Sequence, residues 1–164
     1  MNSTRRFICI CSGNICRSPM AVALLREKLD ARSVPAVVIS GGTLGIQGRR
    51  ADPFARQAIA EHSQELKPII DEHRSQGISA VMLQVADHII VMAPRHERFV
   101  REMVGPKIEP KLVRLWAFAP RTSRLNKIPD PVGHDATVFR GCRDLIDASL
   151  DRWLDEVFRP RPVD

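Results

Sequence analysis

The stretch that decides the fold runs from residue 7 to residue 19 and reads Phe7-Ile8-Cys9-Ile10-Cys11-Ser12-Gly13-Asn14-Ile15-Cys16-Arg17-Ser18-Pro19. It begins with four apolar residues, a run that is typical of a buried strand in a parallel sheet. Ser18 followed by Pro19 predicts the start of a helix, with Ser18 as the N-cap and Pro19 as the first helical residue. The stretch therefore predicts a strand, a short loop and a helix, which together open an α/β fold.

The loop between this strand and this helix has the composition of an anion site. Gly13 and Asn14 tolerate left-handed backbone angles, so successive N–H groups can turn inward. The helix that follows directs its positive end at the loop, and Arg17 offers a planar fork that binds two phosphoryl oxygens. We therefore expect residues 11–18 to form a phosphate-binding loop directly after the first strand, and we call them the phosphate loop.

Cys11 is the candidate nucleophile of this loop. A thiol beside a helix N-terminus and an arginine is stabilised as the thiolate, which can attack phosphorus. Phosphoryl transfer needs mainly positioning and charge stabilisation, and the loop offers both. A cysteine and an arginine at this spacing also occur by chance, and a cysteine at a strand end is more often a small buried side chain. The additional residues Gly13, Asn14, Ser18 and Pro19 favour the functional interpretation.

The phosphate loop resembles that of the low-molecular-weight protein tyrosine phosphatases, in which an apolar strand leads into Cys-x-Gly-Asn-x-Cys-Arg-Ser-Pro. The resemblance extends over most of the chain, and its further specific segments follow the family's order: residues 39–43 with 51–53, residues 73–76 with 86–92, and residues 128–131. It implies a phosphomonoesterase without metal or cofactor. Such an enzyme hydrolyses protein phosphotyrosine and other aryl phosphates in two steps through a phosphocysteine.

The resemblance also implies a role for each site residue. Cys11 would be the nucleophile, Arg17 would bind the phosphoryl oxygens, and Asp130 would be the general acid that later activates water. Such an acid contributes roughly 10²–10⁴-fold to the rate, although an aspartate between two prolines also suits a simple turn. Ser18 would donate a hydrogen bond to the thiolate. The remaining loop and supporting residues would be Ser12, Gly13, Asn14, Ile15, Cys16, Ser40 and His73.

The rim of the expected site departs from the family pattern. The chain contains no tyrosine. Val132 and Gly133 stand where the family has one or two aromatic residues, and Ile46 stands where it often has tryptophan. Relatives that dephosphorylate arginine carry threonine in the loop, whereas Ile15 fits a phosphotyrosine enzyme. A protein-arginine phosphatase is therefore the alternative function.

The other cysteines bear on two further hypotheses. A thiol-dependent arsenate reductase of this fold needs two additional cysteines to carry a disulfide outward. We expect Cys9 to be buried on the same strand face as Cys11 and Cys142 to be in the core, so this function is not favoured. Cys16 lies in the phosphate loop, and the resemblance implies a reversible Cys11–Cys16 disulfide that protects the nucleophile. A space-filling role for Cys16 fits the sequence equally well.

At 164 residues, the chain has the length of one domain with a normal core, and we expect a single domain over residues 1–164 with a frayed tail at residues 159–164. Strand and helix patterns alternate, which predicts a four-stranded parallel sheet with helices on both faces. The predicted strands are residues 6–11, 35–40, 88–92 and 111–116. The predicted helices are residues 18–32, 52–61, 79–86, 94–104 and 135–158, and residues 66–78 are predicted to be irregular.

The net charge of +6 raises the competing hypothesis of a nucleic-acid-binding module. Basic residues are interleaved with acidic ones, as in Arg143-Asp144, and no basic and aromatic ladder for stacking is present, so we expect no nucleic-acid partner. Residues 1–6 are too short and polar for a signal peptide, so we expect none, and no apolar run reaches membrane length. We expect a monomer in the cytoplasm, whose reducing conditions the nucleophile requires. Its partners would be a phosphorylated protein or peptide and the product, inorganic phosphate.

Overall fold

A four-stranded sheet forms the centre of the molecule in a computed structural model that describes residues 3–158. Its strands are β1 (Arg5–Cys11), β2 (Ala36–Gly42), β3 (His88–Val91) and β4 (Leu112–Arg114). They lie in the order β2-β1-β3-β4, and every pairing is parallel. This confirms the predicted sheet. The predicted tail at residues 159–164 lies outside the described residues.

Over residues 3–158, the sheet is surrounded by six α-helices: α1 (Arg17–Ala31), α2 (Pro53–His62), α3 (Lys67–Glu72), α4 (Ala80–Val85), α5 (Pro94–Val104) and α6 (Ala136–Val157). Side chains of β1 alternate between two apolar clusters. Phe7, Cys9 and Cys11 join the cluster with α1, α2 and α6, whereas Ile8 and Ile10 join the one with α4 and α5. Helices thus cover both faces, which explains the continuous apolar run of β1. In the part of the chain that the structure describes, no helix has the length and apolarity needed to cross a bilayer.

The start of α1 corrects one prediction. The helix begins at Arg17 with Cys16 in the N-cap position, and no side chain caps it. Ser18 is therefore a residue of the first turn, and the predicted N-cap is wrong. Its hydroxyl is engaged by Asn14 and Cys11 instead, as described below.

Two other predicted boundaries also change. Residues 66–78 are not irregular throughout, because a short 3₁₀ helix at Gln64–Leu66 continues into α3. Ile70 of α3 is buried, and Lys67 pairs with Asp71 one turn later at 2.6 Å, so both packing and charge favour this helix. The fourth strand ends at Arg114 rather than at residue 116, since Leu115–Phe118 form a 3₁₀ helix.

The carboxyl ends of β1 and β2 hold the phosphate loop in place. Thr43 N–H donates to the Cys11 carbonyl at 3.1 Å, and Leu44 N–H donates to the Ser12 carbonyl at 3.0 Å. Gly42 permits this approach, because a Cβ atom there would lie 2.7 Å from the Ser12 carbonyl oxygen. The loop is therefore fixed to the sheet at the edge where parallel sheets bind ligands.

Candidate active site

A cavity of about 170 Å³ opens at this carboxyl edge of the sheet. Its lining is Cys11, Ser12, Gly13, Ile15, Cys16, Arg17, Leu44, Ile46, Asp130 and Val132. The structure thus brings together Cys11, Arg17 and Asp130, the three residues for which the sequence predicted catalytic roles. A thiol, a guanidinium and a carboxyl group therefore share one small volume.

Arg17 connects the phosphate loop to the segment that carries Asp130. Its side chain is almost wholly buried, and Nη1 donates to the Ile128 carbonyl at 2.9 Å. Nη2 lies 3.2 Å from Asp130 Oδ2. The carboxylate is fixed from its other side, because Oδ1 accepts from Val132 N–H at 3.1 Å. The Asp130 carboxylate and the Arg17 guanidinium therefore hold each other in position.

A chain of hydrogen bonds orients the Ser18 hydroxyl toward the sulfur of Cys11. Gln76 N–H donates to Asn14 Oδ1 at 3.0 Å, and this fixes which end of the Asn14 amide is the donor. Asn14 Nδ2 then donates to Ser18 Oγ at 2.7 Å. Ser18 Oγ lies 3.0 Å from Cys11 Sγ, and its own proton is free to point there. Ser18 can therefore donate to a Cys11 thiolate, as the resemblance implies.

Asn14 is also the centre of the predicted support. Its φ is +57°, a left-handed angle that asparagine tolerates better than most residues, and its Nδ2 donates to Ser40 Oγ at 2.9 Å. His73 Nε2 lies 2.7 Å from the Asn14 carbonyl oxygen, so this nitrogen carries the proton. Burial lowers the pKa of His73, which keeps the ring neutral at pH 7. Together with the bonds to Gln76 and Ser18, four residues thus fix this left-handed loop residue.

The remaining thiols are buried and weakly acidic. Burial, followed by the charges of Asp52 and Cys11, raises the pKa of Cys16. Burial also raises the pKa of Cys9, and it raises that of Cys142 to about 12. Cys9 and Cys142 are core residues, as predicted. All four cysteines are free thiols, and the Cys11–Cys16 disulfide stays a prediction.

The comparison with known protein families agrees with this geometry. The family described as low molecular weight phosphotyrosine protein phosphatase matches residues 6–162. The chain belongs to this family. Membership confirms the predicted class of enzyme, a cysteine-dependent protein-tyrosine phosphatase.

Relatives within the phosphatase family carry two kinds of name. A probable low molecular weight protein-tyrosine-phosphatase, EpsP from Ralstonia nicotianae, is 31% identical over 93% of this chain and 96% of its own length. A protein-arginine-phosphatase from Geobacillus stearothermophilus is also 31% identical, over 93% of this chain and 95% of its own length. Overall identity therefore does not separate the two substrate classes.

Solved structures of the family superpose closely on this one. A low molecular weight phosphotyrosine phosphatase from Vibrio cholerae O395 gives a TM-score of 0.84 at 24% identity, covering 94% of this chain and 97% of its own, and at this identity it supports the fold alone. The YwlE arginine phosphatase from Geobacillus stearothermophilus gives a TM-score of 0.77 at 30% identity, covering 94% of this chain and 93% of its own.

The rim of this phosphatase is aliphatic. Ile46 and Val132, two of the three predicted rim residues, line the cavity together with Ile15. Leu44, which the sequence analysis did not single out, also lines it and is 68% exposed. Gly133 is exposed and lies one residue beyond the lining, at a φ of +79°. Four branched apolar side chains thus surround the opening of the cavity.

His96 is a residue of the phosphatase site that the sequence analysis missed. It lies in the first turn of α5, is completely buried, and places Nε2 3.0 Å from Ser12 Oγ in the phosphate loop. Burial, with the charges of Arg17 and Arg95, lowers the pKa of His96 to about 3, so the ring is neutral. One signal was present: α5 follows β3, so its first turn lies at the same sheet edge as the phosphate loop.

Proposed function

We propose that this phosphatase hydrolyses protein phosphotyrosine through Cys11, Arg17 and Asp130. One observation carries the proposal: the Cys11 thiol, the Arg17 guanidinium and the Asp130 carboxylate line a single cavity against the phosphate loop. The loop supplies backbone N–H groups around a volume suited to a phosphoryl group.

In the first step, the Cys11 thiolate attacks phosphorus. The S–P bond forms while the bond between phosphorus and the tyrosine oxygen breaks, and protonated Asp130 gives its proton to that oxygen. Arg17 and the N–H groups of the phosphate loop stabilise the other phosphoryl oxygens. The products of this step are free tyrosine in the substrate protein and a phosphocysteine.

In the second step, water attacks the phosphorus of the phosphocysteine. Asp130, now ionised, accepts a proton from this water, and Cys11 leaves as a thiolate that accepts a hydrogen bond from Ser18. The product is inorganic phosphate, and the enzyme returns to its starting state. None of these steps requires a metal ion, so EDTA is expected to leave the rate unchanged.

Site variants test this chemistry on para-nitrophenyl phosphate. Cys11→Ser and Arg17→Ala are expected to lose turnover while their circular dichroism spectra match the wild type. Cys9→Ala, on the same strand face and outside the cavity, is the matched control and is expected to remain active. Normal turnover in Cys11→Ser would refute the mechanism.

The aliphatic rim supports phosphotyrosine over phosphoarginine. A phenyl ring can bury its faces against Ile15, Leu44 and Ile46, whereas a guanidinium needs polar partners that these side chains do not provide. The 31% identity to a protein-arginine-phosphatase keeps arginine dephosphorylation as the second candidate. Rates on phosphotyrosine and phosphoarginine peptides, measured side by side for wild type and Ile15→Thr, distinguish the two. Faster hydrolysis of phosphoarginine by the wild type would contradict the assignment.

The proposal also covers the domain organisation, the oligomeric state and the cellular compartment of the protein. The protein is expected to act as a single-domain monomer. It is expected in the cytoplasm, because its nucleophile needs a reducing compartment. Light scattering after gel filtration tests the oligomeric state, and a mass of two chains would contradict the monomer.

A further inference from the structure

A second cleft, of about 250 Å³, lies beside the catalytic cavity. It is lined by Ala93, Pro94, Arg95, Arg98, Asn126 and Lys127. Within the described residues, this lining contains three cationic side chains and no carboxylate. The charged side chains come from α5 and from the segment that leads to Asp130, so two separate elements direct positive charge into one space.

The Asp130 carboxylate marks the boundary between this cleft and the catalytic cavity. Arg95 Nη2 lies 3.8 Å from Asp130 Oδ2, and the same oxygen lies 3.2 Å from Arg17 Nη2. Ile128 N–H donates to the Met92 carbonyl at 2.7 Å, which holds the Asp130 segment against the end of β3. An extended peptide spans about 3.3–3.6 Å per residue. Neighbouring residues of one extended substrate can therefore occupy the catalytic cavity and the cleft at the same time.

Two of the three cations of the cleft have no carboxylate partner among the described residues, whereas Arg95 faces Asp130. Further along α5, Arg101 pairs with Glu97 at 3.1 Å. Over residues 3–158, by contrast, Arg98 and Lys127 are in no ion pair, and both are exposed. A cleft with two uncompensated cations attracts anions and disfavours cations.

We propose that this cleft binds an anionic group of the substrate protein close to the phosphotyrosine. The inference rests on the function proposed above and extends it to the choice of substrate. Arginine binds a carboxylate or a phosphoryl group with two parallel hydrogen bonds, so an acidic side chain or a second phosphorylated residue supplies the required chemistry. The enzyme therefore prefers phosphotyrosine in an acidic sequence.

Peptide kinetics test the subsite. Phosphotyrosine peptides carry three flanking residues on either side, which are all Glu, all Gln or all Lys. For the wild type, kcat/KM is expected to be about 3–10-fold higher with the Glu peptide than with the Gln peptide, and lowest with the Lys peptide. The ratio of kcat/KM between the Glu and Gln peptides is expected to be smaller at high salt. A peptide with phosphoserine in place of one Glu shows whether a phosphoryl group or a carboxylate is the better ligand.

Paired variants distinguish the effect of the cleft cations on peptide preference from the effect of the protein's net charge. Arg98→Gln with Lys127→Gln is expected to bring the Glu to Gln ratio to about 1 while hydrolysis of para-nitrophenyl phosphate stays unchanged. Lys107→Gln with Lys111→Gln removes the same charge beyond the far end of α5 and is expected to keep the ratio. Arg98→Glu with Lys127→Glu is expected to favour the Lys peptide.

Three outcomes overturn the subsite: equal rates on the Glu and Gln peptides in the wild type, a preference that survives in the cleft variants, or an equal loss in the Lys107 and Lys111 control. Failure of the proposed function is distinct. It would appear as no hydrolysis of any phosphotyrosine peptide or of para-nitrophenyl phosphate by the wild type, and the subsite would fall with it.

Discussion

Arg17 Nη2 lies 3.2 Å from Asp130 Oδ2, although 113 positions of sequence separate the two residues. The same guanidinium donates to the carbonyl of Ile128, so it holds the acid segment and the phosphate loop together. A phosphoryl group entering the cavity meets a cation and a carboxyl group that are already positioned. Such preorganisation is the main source of catalysis in phosphoryl transfer.

Asp130→Asn should remove proton donation while keeping the size of the side chain and its hydrogen bond to Val132 N–H. Asparagine retains an oxygen for the Val132 N–H but cannot supply a proton, so kcat is expected to fall about 10²–10⁴-fold on substrates with poor leaving groups. The loss should be much smaller on 2,4-dinitrophenyl phosphate, whose leaving group needs little assistance. A series of aryl phosphates of graded leaving-group acidity measures this difference. Equal losses across the series would remove Asp130 from the acid role.

Asn14→Ala should impair both the loop and its chemistry. The change deletes three side-chain hydrogen bonds, two of them buried, and releases the Ser18 hydroxyl, so stability is expected to fall by about 2–4 kcal/mol and kcat by about 10²-fold. Asn14→Gly is the matched variant, because glycine adopts the left-handed angle without strain. Urea unfolding and turnover of para-nitrophenyl phosphate measure the effects. Full activity in Asn14→Gly would show that backbone angle, and not hydrogen bonding, is what Asn14 supplies.

Gly42→Ala should displace the phosphate loop. The new Cβ would lie 2.7 Å from the Ser12 carbonyl oxygen and 3.0 Å from Asn14 Cβ, so the loop must shift. A loss of about 1–3 kcal/mol of stability and a clear fall in kcat are expected. Gly141→Ala, in the open middle of α6, is the control and is expected to stabilise by about 0.5–1 kcal/mol with normal activity. A fully active Gly42→Ala enzyme would contradict the proposed packing.

His96 should make stability depend on pH. Its pKa is about 3 in the folded protein and near the ordinary histidine value of about 6.5 when unfolded. Between these values the unfolded chain binds a proton that the folded chain does not. The free energy of unfolding is therefore highest above about pH 6.5 and falls by up to about 1.4 kcal/mol per unit as the pH is lowered toward 3.

Urea unfolding between pH 7 and pH 4.5 checks this dependence. His96→Asn is expected to give a shallower slope than the wild type, while His134→Asn, at an exposed position, should match it. Burial also lowers the pKa of His73 and His88, so the His96→Asn slope should decrease without vanishing. Identical slopes in wild type and His96→Asn would mean that His96 can be protonated in the folded protein.

Local signals in the sequence accounted for most of the architecture. The apolar run of β1, the turn-forming pair Gly13-Asn14 and the basic residue at the helix start each act over a few positions, so their pattern can be read directly. Asp130 is different, because the resemblance placed it in the site and no local signal did. Its contact with Arg17 spans two distant elements that only the fold brings together.

The predictions that failed, and the residue that was missed, depend on contacts that form only in the folded chain. Serine at a helix start can cap the helix or support a neighbouring loop, and for Ser18 only the position of Asn14 decides between these roles. Helix α3 has six residues, and the burial of Ile70 that favours it depends on tertiary packing. His96 contacts Ser12 across 84 positions, and no spacing rule within α5 reveals a partner on another element.

The distance along the chain between Cys11 and Asp130 has a consequence for biosynthesis. Ribosomes add about 5–20 residues per second, so Cys11 emerges many seconds before Asp130. Helix α6, which contributes Phe139 and Trp153 to the core shared with α1 and α2, is translated later still. On the mechanism proposed above, a nascent polypeptide is expected to gain phosphatase activity only when synthesis is nearly complete.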